Sequence, residues 1–423
     1  MTKKCVSNEK LAPVKEQAKN SLLVRLPIYD QQLNIQGYQL RSEADSKRKT
    51  NTLIDGATAT DILLDAINSS QTDDLLNGKP GFVNFARSLL LESPPPTEKK
   101  YTIEIFENIV LDNKVFNALK NIKSNGYTIA MDTRCMGPQR QKIMELVDIV
   151  KFDMQANFID QIRAQLKELT HSSATLLAEN IKDHACFNEL KMLNFSLFHG
   201  DFLLKPDIVK GKKIETDQQT VLRLLTVLQD NGAEFSDIEN VISTSSVLSY
   251  KLLRLINSPL FGLNGPVESL QQAIMLLGLD QIRSWGSLLA LTSLKNKPDW
   301  LCMNALIRAE MCKQLADKIG INLRENSLFT AGLISTMDAF FDIPLTDIVN
   351  SIRLPSWLKV AVLTHEGVAG LILQTAKYYE QADFDAVNWE KLQSLGLTPD
   401  LVQSSYHDSI VWAADITEQM QLK

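Results

Sequence analysis

From Leu22 to about Phe202 the chain runs in short apolar, often β-branched segments: LLVRLPIYD, IQGYQL, GFVNFA, YTIEIFE, TIAMDT, IVKFDM, ATLLAEN and FSLFHGDF. Runs of this length and composition predict eight strands. Between most of them lie stretches with helical spacing, such as ATATDILLDAIN, LDNKVFNALKNIKSNG and NFIDQIRAQLKEL, the second stopping at the turn pair Asn125-Gly126. Repeated strand-helix alternation predicts parallel pairing, in a barrel or an open sheet. The first connection is different. Asp30 to Asn34 is too short for a crossover, which takes a dozen or more residues, so the first two strands should form an antiparallel hairpin.

After Lys205-Pro206 the strand-like runs give way to long helical periodicities, which places a domain boundary near 206–215. The expected division is a tail over 1–20, a lean TIM-like (β/α) barrel over 21–208 and an α-helical bundle over 209–423. Roughly 185 residues falls below the ~200 to 400 usual for such a barrel, so its helices or loops should be short in places. In the second part, Thr216 with Gln219 and Ser236 with Glu239 read as capping boxes, and Pro266 as a first helical residue. The segments TVLRLLTVLQD, SVLSYKLLRLIN, PVESLQQAIMLLG, NALIRAEMCKQLADKIG and SLFTAGLISTMDAFF carry a wide apolar stripe, the pattern of core-facing helices. A final helix is expected from Asp400 to Gln421.

A length of 423 residues with 44% hydrophobic and 22% charged positions is enough for two or three cores, which excludes a disordered or fibrous chain. Fifty acidic residues against 44 basic ones, a formal charge of -6, make nucleic acid an unexpected partner. The lysine-bearing start lacks the apolar run of a secretory signal, and no later apolar stretch approaches the ~20 residues of a membrane span, so a cytoplasmic protein without a membrane partner is expected. Cys5, Cys135, Cys186, Cys302 and Cys312 show no CxxC spacing, which fits reduced thiols rather than a disulfide framework or zinc site.

P-loop, dinucleotide-binding and HExxH motifs are missing, and His171, His184, His199, His365 and His407 stand singly. His407-Asp408 suggests a metal-clamping pair, but only His365 accompanies it in the helical half, too few for such a ligand set. Carboxylates fall at the ends of predicted strands: Glu104, Glu107, Asp132, Asp153 and Glu179. The carboxyl ends of parallel barrel strands are where active sites gather. Asn84, Glu104, Asp132 and Glu179 would there converge as oxygen ligands for Mg²⁺ or Mn²⁺ beside Lys151, or form ion pairs with Lys151 and Arg134. In SPLFGLNG, Leu260, Phe261 and Leu263 form either a docking loop or packing beneath a helix junction. Pro94-Pro95-Pro96 reads as a stiff linker, and the five lysines of the tail as a solvated segment.

The ordered segments RLPIYDQQLNIQGYQL, GFVNF, YTIEIFEN, AMDT, DIVKFD, LLAEN and HGDFLLKP resemble the EAL domain, whose active members hydrolyse cyclic di-GMP with two divalent metals. The resemblance implies a barrel with a reversed first strand. It also implies losses. The family's signature glutamate falls at Gln39, the second of its paired aspartates at Thr133, a seventh-strand glutamate at Lys182 and a late glutamine at His199, while Asn84, Glu104, Asp132, Lys151 and Glu179 match. SVLSYKLLRLINSPLFGLNGPVESLQQAIMLLGLDQIRSW, 246–285, resembles the HDOD domain, a relative of HD hydrolases without their metal ligands. In AGLISTMD, Ser335 and Thr336 stand where an HD enzyme shows its His-Asp pair.

The expectation is therefore a two-domain EAL plus HDOD signalling protein with a degenerate barrel, not an enzyme, needing no cofactor beyond weak Mg²⁺ or Mn²⁺ at the relic pocket. Its expected partner is a regulatory protein such as a kinase or cyclase, with a homodimer open. The alternative is a cyclic di-GMP sensor or a weak phosphodiesterase.

Overall fold

The computed structural model describes residues 22–42, 75–92, 101–105, 109–135, 137–155, 159–169, 173–208, 216–230, 232–263, 265–294, 297–320 and 327–419. The lysine tail, the expected helix over 57–68, the proline run 94–96, Glu107 and His171 lie outside them.

All eight expected strands are present: β1 Leu23–Tyr29, β2 Ile35–Ser42, β3 Gly81–Phe85, β4 Tyr101–Ile105, β5 Thr128–Asp132, β6 Ile149–Asp153, β7 Thr175–Ile181 and β8 Leu197–Gly200. They close into a barrel in chain order. β1 runs antiparallel to both β2 and β8, and every other pair is parallel. Period-two alternation fills the interior with layers. One layer is apolar, built from Ile28, Phe82, Ala130, Ile149 and Leu177 with Leu197 against them. Inward positions one step nearer the carboxyl ends are polar. At the β7-β8 seam a Cβ on Gly200 would lie 2.2 Å from the Ile181 carbonyl oxygen, so only glycine fits.

Among the described residues the barrel helices are α1 Arg87–Leu91, α2 Asn113–Ser124, α3 Arg140–Met144, α4 Ile159–Glu168 and α5 His184–Met192. Two are only five residues long, which accounts for the small barrel. In α2 the Asp112 carboxylate caps the Val115 amide, and Val115, Leu119 and Ile122 form the buried stripe.

The second half is helical: α6 Thr216–Leu228, α7 Phe235–Ser243, α8 Ser246–Ile256, α9 Leu270–Leu277, α10 Leu279–Leu291, α11 Asp299–Ile319, α12 Ser327–Ile334, α13 Met337–Phe341, α14 Leu345–Ser351, α15 Ser356–Leu363, α16 Gly367–Glu380, α17 Trp389–Ser394 and α18 Pro399–Gln419. Three expected details are corrected. The capping box at α7 joins Glu234 and Asp237, not Ser236 and Glu239. α9 starts after Ser269, whose hydroxyl caps the Gln272 amide, and Pro266 stays outside because the Asn257 side chain holds Val267 extended through both its N–H and C=O, at 2.7 and 2.8 Å. SLFTAGLISTMDAFF is two helices, broken at Ser335-Thr336. The start of α6, and with it the Thr216-Gln219 box, lies at the edge of the described residues. By length and composition one helical stretch among the described residues, Ser356–Glu380, passes for a membrane span, as the core helix of a soluble protein also can. A short break at Thr364–Glu366 divides it into α15 and α16, and α16 packs on α11 and β1.

That last contact follows from the hairpin. β8 pairs only with Ile28 and Tyr29 of β1, so the carbonyls of Leu23 and Arg25 have no strand partner on that side. The Tyr379 hydroxyl donates to Leu23 at 3.2 Å and the Tyr406 hydroxyl to Arg25 at 3.4 Å, so α16 and α18 complete the ladder. Alongside, the Arg25 guanidinium lies 4.4 Å over the Tyr38 ring, and Tyr38 meets Trp300 of α11 edge-on at 6.3 Å.

Candidate functional site

The polar layer of the barrel is a closed knot. Gln39 of β2, Glu104 of β4, Lys151 of β6 and Glu179 of β7 point inward and are buried. The Gln39 amide nitrogen donates to Glu179 at 2.8 Å and to the two Glu104 oxygens at 3.2 and 3.4 Å. Lys151 donates to Glu104 at 2.6 Å and pairs with Glu179 at 3.0 Å. Burial by itself would depress the Lys151 ammonium, but the two carboxylates outweigh it and hold it above its usual value. Burial lifts the Glu104 carboxyl, and Glu179 adds to the rise against the pull of Lys151. The Gln39 carbonyl in turn accepts from Arg41 Nε at 3.0 Å.

The other expected pocket residues do not all join. Asn84 stands beside Glu104 in register. Asp132 turns to Arg134, accepting from its Nε and terminal nitrogen at 2.9 and 2.7 Å and from its backbone amide at 2.8 Å. Thr133 is buried, its amide donating to the Lys151 carbonyl at 3.0 Å and its hydroxyl without a hydrogen-bond partner. Lys182 lies at the rim, 3.7 Å from Asp201. His199 is buried, with Nδ1 unpartnered, and burial followed by the charges of Arg41 and Lys151 pushes its imidazole down to about 3. Among the described residues no three His, Cys, Asp or Glu side chains gather as metal ligands. The set fits a divalent pair poorly, because a neutral amide and an ammonium already bond the two carboxylates.

In the helical half Ser335 and Thr336 are held by local bonds. Ser335 and Thr336 are buried, and their hydroxyls bond back to the Gly332 and Leu333 carbonyls at 2.7 Å. Arg308 of α11 donates to the Ser335 hydroxyl at 2.9 Å and carbonyl at 3.2 Å, and pairs with Glu380 of α16 through two nitrogens. His407 lies 3.8 Å from Asp408 on α18, and His365 starts the turn into α16 with φ of 56°. In the expected docking loop, Phe261 packs edge-on against Trp285 at 5.7 Å and Leu263 is half-buried; Leu260's side chain is outside the described set. Burial pushes the free thiols of Cys302 and Cys312 up to about 12, far from a reactive thiolate.

A cavity of about 400 Å³ separates the two clusters. Arg41, Lys182, His199 and Asp201 line it from the barrel, and Trp300, Asn304, Glu380 and Asp383 from the helices. Sequence reasoning missed Arg41, although its place two residues after Gln39 on one strand puts both on the same face. Nothing local signals Arg308 with Glu380, 72 positions apart.

Residues 214–341 match the family model of the HDOD domain. The chain is 25% identical over 412 residues, 96% of its length and 95% of the relative's, to the cyclic di-GMP phosphodiesterase CdgJ of Vibrio cholerae. To the uncharacterized protein YuxH of Bacillus subtilis it is 27% identical over 410 residues, 94% of its length and 98% of the relative's. An EAL domain protein from Listeria monocytogenes EGD-e shares 18% identity with a TM-score of 0.34, over 45% of this chain and 88% of that one. The chain thus joins a closed eight-stranded barrel to a helical part that matches the HDOD domain over 214–341, and it is related along nearly its whole length to a cyclic di-GMP phosphodiesterase.

Proposed function

We propose that this relative of cyclic di-GMP phosphodiesterases is a signalling protein that no longer hydrolyses the dinucleotide. It acts by presenting its HDOD domain and degenerate barrel to a regulatory protein of the kinase or cyclase kind. The observation that carries this reading is the Gln39 amide. An anionic ligand at that position would open toward a metal, whereas the amide nitrogen donates to both Glu104 and Glu179 and, with Lys151, holds them together. Two-metal hydrolysis needs carboxylates free to bind cations and balance their charge. Asp132 is likewise engaged by Arg134.

The test is turnover of cyclic di-GMP by the full chain with Mg²⁺ or Mn²⁺. Product formation no faster than in buffer is expected, and turnover of about 1 s⁻¹ or more, the ordinary range for enzymes, would overturn the reading. Gln39→Glu is expected to restore little, because Thr133 and Lys182 still occupy two further ligand positions.

A further inference from the structure

In the helical half, α8 and α9 touch each other and both pack on α10, so they form one layer. The inner side of that layer is buried through Leu248, Leu252 and Leu255 of α8 and Leu270, Ala273 and Ile274 of α9. On the outer side of α8, Val247 and Tyr250 are 62% and 65% exposed, and the exposed Arg254 continues their row at i, i+3 and i+7. On α9, Met275 and Leu276 are 72% and 55% exposed. Four of the ten large apolar side chains exposed among the described residues thus fall between 247 and 276, a concentration that marks an interaction face where single scattered ones would not.

The layer is braced from within. Asn257, which ends α8, bonds the Leu253 carbonyl of its own helix and both main-chain groups of Val267 on the way into α9. Phe261 pins the intervening turn against Trp285 of α10. A face whose backbone is fixed in advance loses little conformational freedom when it is covered. Its charge is one-sided. Between 240 and 279 the ionised side chains are Lys251, Arg254 and Glu268, two cations to one anion in a chain where 50 acidic residues outnumber 44 basic ones. Both cations belong to α8, the helix of Val247 and Tyr250, while Glu268 precedes α9. We propose that this face of the HDOD domain docks an acidic amphipathic helix of a regulatory protein, its apolar row on Val247, Tyr250, Met275 and Leu276 and its carboxylates toward Lys251 and Arg254. Tyrosine and arginine are the side chains that most often anchor such contacts. The inference rests on the reading of the chain as a partner-binding protein and locates that contact.

The experiment titrates the full chain against two labelled helix-forming peptides, one with a leucine row flanked by glutamates and the other with the same row flanked by lysines, followed by fluorescence anisotropy. The glutamate peptide should bind at least about 10-fold more tightly than the lysine peptide, and its affinity should fall as salt rises. Tyr250→Ala should weaken it by about 10-fold or more. Lys251→Glu combined with Arg254→Glu should reverse the preference between the peptides, which a loss of folding could not do. Met192→Ala, exposed on the barrel, should change nothing. The inference is overturned by no binding at about 1 mM peptide, by equal binding of the two peptides, by unchanged affinity in the α8 variants, or by a self-association that Tyr250→Ala abolishes, which would make the face a contact between two copies. Turnover of cyclic di-GMP by a chain that binds the peptide would overturn the non-enzymatic reading alone; a silent chain that ignores the peptide overturns this inference alone.

Discussion

The two buried polar clusters, one in each half, engage their carboxylates by different routes. In the barrel, Glu104 and Glu179 face each other, and the Gln39 amide is a donor that ties them together. In the helical half, Arg308 bridges Glu380 and Ser335. The barrel knot balances one ammonium against two carboxylates that share its charge. In the helical cluster Arg308 and Glu380, each 4% exposed, form the direct pair, and Lys377 and Asp338 act on it at longer range.

Removing one partner of the helical pair should therefore give the largest effect. Arg308→Met leaves Glu380 buried with, among the described residues, the long hydrogen bond from the Asn304 amide at 3.4 Å and the charge of Lys377 at longer range, and is expected to cost about 3–5 kcal/mol in denaturant unfolding of the full chain. Arg308→Met combined with Glu380→Met should recover most of it, since a buried pair contributes little net stability over apolar residues of similar volume. A double variant as unstable as the single one would show that the pair does more than balance itself.

In the barrel the sharper change is Gln39→Glu. It replaces the donor by a third carboxylate within hydrogen-bond distance of the other two, with Lys151 and Arg41 to balance the three. We expect a loss of about 1–3 kcal/mol at neutral pH, relieved as pH falls because a protonated carboxyl again donates. Millimolar Mn²⁺ should raise the melting temperature of this variant and leave the parent unchanged, as a cation that binds only the native state stabilises it. Equal Mn²⁺ shifts in both would mean that the Gln39 amide does not block the carboxylates.

These contrasts were only partly legible in the sequence. The strands were, because β-branched runs and a five-residue first loop leave few alternatives for the barrel and its hairpin. Inward-facing carboxylates at strand ends were legible for the same reason. Asp132 turning to Arg134 was not, since an aspartate beside an arginine and near a lysine has two equally good partners. Helix starts failed where side-chain chemistry is degenerate: Ala233-Glu234-Phe235-Ser236-Asp237 offers three capping groups in five positions, and packing of Ile238 and Ile242 selects among them. The cavity and the Arg308-Glu380 pair depend on how helices dock, which no local pattern encodes.

His199 sharpens the comparison through pH. Unfolded, its imidazole takes a proton near the ordinary 6.5, whereas in the fold it does so only near 3. Between those values the unfolded chain binds more protons, so stability rises with pH, by up to about 1.4 kcal/mol per unit from this one group. Stability is lost as pH falls through that window, and above it the slope vanishes. His199→Gln should remove that slope, seen as the difference between variant and parent in denaturant unfolding from about pH 4 to 7. Parallel profiles would mean that the imidazole binds its proton equally well folded and unfolded, and that burial and the charges of Arg41 and Lys151 are offset.

The smallest effects should come from the seam that joins the two clusters. Tyr379→Phe and Tyr406→Phe each remove one hydroxyl donor from a β1 carbonyl without changing the ring. Each should cost about 0.5–1.5 kcal/mol, the net worth of a single hydrogen bond, because β8 does not extend far enough to replace the lost partner. The two rings lie 4.9 Å apart and share α16, α18 and the strand between them, so the changes are not independent. Once one hydroxyl is gone the strand can shift, and the second bond is then worth less; the double variant should fall short of the sum by about 0.5 kcal/mol or more. Strict additivity in a double-mutant cycle would mean that β1 is held rigidly by the barrel alone, and that the helical half merely rests on it.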